Sequence, residues 1–224
     1  MHYFSDDRLA WAKLSTIDSF YRPDVDVSLP PPAHDPLRFV PHIQALRGGS
    51  RAPAKYLVSF KGRLEMHPVR RELAKLHNET QGVIIVDKND EKFDYAATMG
   101  SSAFTLAVRG DNAYSYRFTE AACAGSAPVI IADGWVPPFN STMPLHDYGL
   151  RVREADVGPG MVERLAAIPA AEVARLRRNA LRFCRRYAAS VELTADAMVR
   201  EALQKASDIA PASLAWRPLR NVTL

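Results

Sequence analysis

Hydrophobic and polar positions along this chain follow two periods in turn. Residues 56–60 (YLVSF), 82–86 (GVIIV), 103–108 (AFTLAV) and 128–132 (PVIIA) are short, dense apolar runs bounded by turn-forming or charged residues, the pattern of buried strands. Between them the period lengthens. Val69, Leu73 and Leu76 recur at helical spacing within 68–78, and further helices are expected at 92–99 and 115–124. Strand and helix in alternation predict an α/β domain: a parallel sheet with right-handed crossovers and helices on both faces. Ligands of such sheets collect outside the carboxyl ends of the strands. From 158 to about 206 the pattern is helical, with an apolar stripe of Val173, Leu176, Ala180, Phe183 and Tyr187 opposite Arg175, Arg178, Arg182 and Arg185. That is a packed helix with a solvated basic face. Residues 21–53 have no periodicity and many prolines, whose rings fix φ and push the preceding residue out of the helical basin, so they read as an extended connector. Residues 5–19 have room for a short helix or the edge of something larger.

The chain has 224 residues, 47% hydrophobic and 24% charged, which suits one large globular domain or two small ones and excludes disorder and fibrous repeats. No apolar stretch approaches the roughly 20 residues of a bilayer span. Residues 1–7 lack the basic start and apolar run of a secretory signal. The chain as given is therefore expected to carry neither membrane span nor leader. A net charge of +4 suggests anionic company without naming it. The arginine face of the long helix has no interleaved aromatic groups, so a nucleic-acid groove is not expected. Cys123 and Cys184 lie inside helical patterns and read as core thiols, with a bridge between them as the alternative. The six histidines are scattered and form no H-x-x-x-H or Cys/His pair, so no protein-built metal site is expected.

Candidate chemistry concentrates between 107 and 139, AVRGDNAYSYRFTEAACAGSAPVIIADGWVPPF. A strand turns at Arg109 and Gly110 and enters a helix at Ser115, whose hydroxyl suits the capping position. A helix start has unpaired N–H groups and partial positive charge, which stabilise an anionic phosphate. Arg109 and Arg117 add fixed charge at the same end of the sheet. Glu120, one turn beyond Arg117, offers two acceptor oxygens to a pair of vicinal hydroxyls such as those of ribose. These are the components of a nucleotide-diphosphate site. On spacing alone, an i, i+3 ion pair between Arg117 and Glu120 on a helix surface fits equally well. Neither G-x-x-x-x-G-K-[ST] nor G-x-G-x-x-G occurs, so a P-loop NTPase and a dinucleotide enzyme are not supported.

The run R-G-x-x-x-x-S-x-R-F-x-E-A followed by A-P-V-I-I-x-D-G-W-x-x-P-F resembles the signature of the exostosin family of glycosyltransferases. The likeness extends upstream to YLVSFKGR (56–63), to VRREL (69–73) with Leu76, His77 and Asn78, and to FYRPDVDVSLP (20–30), in family order. The resemblance implies a Rossmann-like sheet of the kind found in the C-terminal, donor-binding domain of a GT-B enzyme, followed by C-terminal helices. It implies a division into a connector with a remnant of the N-terminal domain (1–53), a nucleotide-sugar-binding domain (54–206) and a tail (207–224). The N-terminal half and the membrane anchor of Golgi members would then lie outside this chain. The implied reaction is inverting, hexosyl-type transfer from a nucleotide diphosphate donor, a UDP-sugar, to a hydroxyl of a growing glycan. Arg63, Arg109, Gly110, Ser115 and Arg117 would bind the diphosphate and Glu120 the ribose. Gly62 would allow close backbone approach or serve as a plain turn glycine.

No general base is evident: Asp87 and Asp133 lie at strand ends, but Asp133 reads as a turn residue beside Gly134, and Trp135 as a core anchor, with a sugar-stacking platform as the alternative. No covalently bound cofactor is implied, and metal assistance is left open. Val108 replaces the family's usual proline, and Asp111 and Asn112 stand where some animal members have a basic pair, which weakens the expected anion site. Sequons at Asn78, Asn140 and Asn221 agree with a Golgi or other secretory lumen. The alternative to an enzyme is a non-catalytic nucleotide-sugar-binding or interaction module acting beside a partner glycosyltransferase subunit.

Overall fold

The structure, a computed structural model, describes residues 12–14, 21–31 and 53–209. β1 (Ala12–Leu14) and β2 (Val27–Leu29) form a separate parallel pair. The main sheet holds β3 (Tyr56–Lys61), β4 (Val83–Val86), β5 (Ser102–Val108), β6 (Ala127–Ile131) and β7 (Leu150–Arg151) in the order β4-β3-β5-β6-β7, parallel at every pairing. Every residue of β4, β5 and β6 is buried, which is why these strands read as dense apolar runs, broken in β5 only by Ser102 and Thr105, rather than as alternation. The winding direction reverses between β3 and β5. The carboxyl ends of those two strands therefore form the crevice at which an open α/β sheet takes its ligand.

Helices cover both faces. α1 (Pro68–Ala74), α4 (Pro159–Ala166) and part of α5 (Ala170–Phe183) bury Val69, Leu73, Met161, Leu165 and Leu176 against Val58, Phe60, Phe104, Leu106 and Val129. On the other face α2 (Tyr95–Gly100), α3 (Arg117–Ala124) and α6 (Val191–Ile209) join the end of α5 in packing Met99, Phe118, Ala121, Phe183 and Ala197 around Ala107 and Ile130. Phe104, Leu106 and Val108 go to one layer and Ala107 to the other, the period-two alternation of the pleat. Trp135 is 1% exposed and meets Phe118 edge to face at 5.1 Å, an anchor in the core.

Several boundaries differ from the sequence reading. α1 stops at Ala74 because Asn78 turns the chain, its Oδ1 accepting from Gln81 N at 3.2 Å. α2 starts at Tyr95, where Asp94 accepts from Ala97 N at 2.7 Å. The helix expected at Ser115 begins at Arg117: Tyr116 already has helical φ and ψ, and Ser115 contributes its carbonyl to Phe118 N instead of a capping hydroxyl. Cys123 and Cys184 are not thiols. They form a disulfide that ties α3 to the π turn (Cys184–Ala188) after α5.

The described part of the connector, 21–31, is docked on the domain. Lys205 of α6 donates to the carbonyls of Pro23 at 2.6 Å and Asp26 at 2.7 Å. Thr119 of α3 donates to Pro31 O at 2.6 Å, and Ser28 to Val136 O at 3.0 Å. The rest of the connector, the tail from 210 and most of 5–19 lie outside the described residues. Among the described residues no helix is long and apolar enough to cross a membrane.

Candidate nucleotide site at the switch point

β3 ends in Phe60 and Lys61, and Gly62 follows it. Lys61 donates to the carbonyls of Asp90 at 2.5 Å and Phe93 at 2.6 Å, fixing the loop after β4 beside the crevice. The first residue of α3, Arg117, reaches back across the switch point. Its Nε donates to Lys61 O at 3.0 Å, and its guanidinium lies 4.7 Å from the Phe60 ring centroid, within cation–π range. Gly62 is the surface it crosses: a Cβ there would meet Arg117 Nη2 at 2.2 Å. The Gly62 N–H is spent on Val86 O at 3.1 Å, so the glycine makes room for an arginine and does not present its amide to a ligand.

A second arginine closes the floor. Arg70 on α1 is 5% exposed and donates to Arg109 O at 2.7 Å, Val108 O at 2.9 Å and Arg63 O at 3.1 Å, joining the loop after β3 to the loop after β5. Burial, with the nearby Arg117 charge adding to it, lowers the Arg70 guanidinium to about 10.

Around these groups is a cavity of about 850 Å³, the size of a small-ligand cleft. Four of the expected site residues, Arg63, Gly110, Ser115 and Arg117, line it together with Lys61 and Lys88. Tyr114 and Tyr116, edge to face at 5.7 Å, form an aromatic wall, and the hydrogen bond between them raises the Tyr114 hydroxyl above its usual range. Asp111 and Asn112 also face the cavity.

Two expected residues do not line it. The Arg109 main chain continues the ladder to Ile131 O, and its side chain turns to Glu154, 3.3 Å away. Glu154 in turn accepts from Asp133 N at 2.9 Å, while Asp133 accepts from Glu154 N at 3.2 Å. Asp133 is thereby held in its turn beside Gly134, whose φ is 75°. Glu120 is 4% exposed and accepts from the Tyr95 hydroxyl, so Tyr95, which lines the cavity, stands between it and a ligand. Asp87 accepts from Asn89 N at 3.1 Å, and its carboxyl is held below the usual range first by that bond. Among the described residues no three metal-ligating side chains converge.

Lys61, Arg70 and Tyr95 were not anticipated as site residues. Arg70 left one signal: it neighbours Val69 and precedes Leu73 by three positions, which places a charge on the buried side of an amphipathic helix.

The family model for the exostosin GT47 domain matches residues 4–168. The chain is 28% identical over 169 residues to an exostosin-1 homolog of Caenorhabditis elegans, covering 65% of this chain and 44% of that protein. It is 28% identical over 180 residues to exostosin-1 of Drosophila melanogaster, covering 68% and 23%, and 29% identical over 159 residues to exostosin-1 of Bos taurus, covering 60% and 21%. The chain thus spans less than half the length of these curated relatives. With the matched region running from the connector through the switch-point crevice and past the end of α4, the chain belongs to the exostosin family of glycosyltransferases.

Proposed function

We propose that the switch-point cavity binds the diphosphate of a UDP-sugar and that the complete enzyme transfers the sugar, a hexosyl unit, to a glycan hydroxyl with inversion. The observation that supports this is the convergence of Arg63, Lys88, Arg117 and the start of α3 on one cavity at the strand ends. As the bond from the anomeric carbon to the diphosphate breaks, negative charge grows on the leaving group. Fixed guanidinium charge and a helix N-terminus stabilise it there without reorganisation. The acceptor oxygen forms the new bond from the opposite face and releases its proton to a base. Asp87 is engaged in its own turn, and Asp133 accepts from the Glu154 main chain. We place the base in the remainder of the enzyme, across the cleft. In this reading the ribose hydroxyls meet Tyr95 first, with Glu120 orienting the Tyr95 hydroxyl. Tyr116, 42% exposed, offers its ring to the base or the sugar.

The bridge between Cys123 and Cys184 supports synthesis in an oxidising compartment, in keeping with a secretory lumen. Asn78 and Asn140 are exposed, as sequons used there must be, and Asn221 lies outside the described residues.

The test of function is release of free sugar from radiolabelled UDP-sugars, and transfer to oligosaccharide acceptors, by the purified chain. Slow hydrolysis without transfer is expected, with transfer appearing when the N-terminal half of a family member is added. UDP binding with neither activity under both conditions would identify a non-catalytic binding module. A finer check concerns Gly62. Gly62→Ala must displace the end of the Arg117 side chain and leave the backbone in place, so we expect stability to change by less than about 1 kcal/mol. UDP affinity should fall as far as in Arg117→Ala, and the double variant should lose nothing further, the non-additivity of a shared mechanism. Additive losses measured by calorimetry would show that Gly62 acts on the ligand independently.

A further inference from the structure

Arg70 is a fully charged side chain on a face of α1 that otherwise packs against the sheet. A buried guanidinium without an adjacent carboxylate carries a desolvation penalty that only hydrogen bonds can offset. Its oxygen partners are three backbone carbonyls, those of Arg63, Val108 and Arg109, its Nη1 also donates to Met66 Sδ at 3.7 Å, and the carboxylates of Asp111 and Glu65 act on it through space. Those carbonyls belong to the loop after β3 and to the end of β5 with the loop that follows it, on either side of the switch point. Gly110 lies directly against it, since a Cβ there would come within 3.1 Å of Arg70 Nη2.

The position of Arg70 relative to Arg117 adds a second element. Both guanidinium groups rest on the Phe60 ring, at 5.4 Å and 4.7 Å from its centroid, and each raises the free energy of the other's charge. An anion in the cavity relieves that repulsion. A neutral donor could hold loop carbonyls as well, so a buried cation in this place is explained by what it does to an anionic ligand. Resting on the donor-site reading above, we infer that Arg70 is a positioning residue for the diphosphate: it sets the spacing of the loops carrying Arg63 and Gly110 and places positive charge beneath the leaving group. Arg63 and Arg117 make the contacts; Arg70 determines where they are and how strongly the floor attracts.

The experiment compares UDP with UMP. Calorimetric titrations of both nucleotides into the wild-type chain, Arg70→Lys and Arg70→Met give the ratio of the two affinities, which isolates the contribution of the second phosphate. For Arg70→Met that ratio is expected to fall roughly tenfold, as for loss of one charge-assisted interaction. Arg70→Lys keeps the charge but donates from a single nitrogen in place of the three nitrogens with which Arg70 spans the two strand ends, and should lower the ratio about threefold. If the methionine variant does not fold, the lysine variant alone decides. An unchanged ratio, whether or not both affinities drop together, would overturn the inference and leave Arg70 a purely structural residue. Absence of UDP binding by the wild type is a different failure: it would remove the donor-site reading itself, and this inference with it.

Discussion

Replacing Cys123 and Cys184 together by alanine should destabilise the folded chain by about 4 kcal/mol, the chain-entropy value for a bridge closing a loop of this length. The two cysteines are 61 positions apart, and between them lie β6, β7, α4 and all of α5, so the bridge restricts a large part of the unfolded ensemble. Both residues sit in the core layer built around Phe118, Phe183 and Ala180, and alanine there leaves a small void in place of two sulfurs. For a domain of this size the loss corresponds to a fall of roughly 10 °C in Tm. Thermal unfolding of the variant, and of the wild type with and without reductant, measures it. Thiol titration of the denatured, unreduced wild type should find no free sulfhydryl. Two titratable thiols, or a melting curve indifferent to reductant, would restore the core-thiol reading. The bridge also bears on function, because it anchors the far end of the helix that begins with Arg117.

The second large effect is on binding. Arg117→Ala is expected to weaken UDP about 10- to 100-fold, the loss of a charge-assisted phosphate interaction of about 1.5–3 kcal/mol. The fold should tolerate the change, since the described bonds of Arg117 at the crevice are one carbonyl and one ring face. Arg178→Ala, an exposed arginine on α5 outside the cavity, is the control and should bind UDP as the wild type does. Equal losses in the two variants would mean that general positive charge, and not this site, holds the nucleotide.

The main strands were legible because each is a short, mostly apolar run, and a strand buried on both faces has no regular polar alternation to confuse with a surface helix. The parallel α/β order followed from their alternation with helices. β7 was not legible, since two residues carry no period, and β2 was hidden in a proline-rich stretch whose pairing depends on a distant segment. The disulfide stood only as the alternative to two core thiols because nothing local distinguishes a buried thiol from half of a bridge whose partner is 61 residues away.

At the site, the arginine types and the strand-to-helix turn were visible, but side-chain direction was not. Arg109 follows β5 directly and looks like a floor residue, yet its backbone stays in the ladder and its side chain goes to Glu154. The floor is occupied by Arg70, from a helix whose register, and not its sequence neighbourhood, brings it to the crevice. Ser115 lines the cavity without capping α3 because Tyr116 enters the helical basin one residue early. Family likeness located the crevice. The geometry sorts its residues into those that line the cavity and those that hold the loops.

The measurement that most directly tests the donor site is calorimetric titration of the purified, oxidised chain with UDP, repeated with Arg117→Ala. Saturable one-to-one binding by the wild type, with affinity reduced at least tenfold by the substitution, is the result this account predicts. No binding, or binding that the substitution does not change, would contradict it.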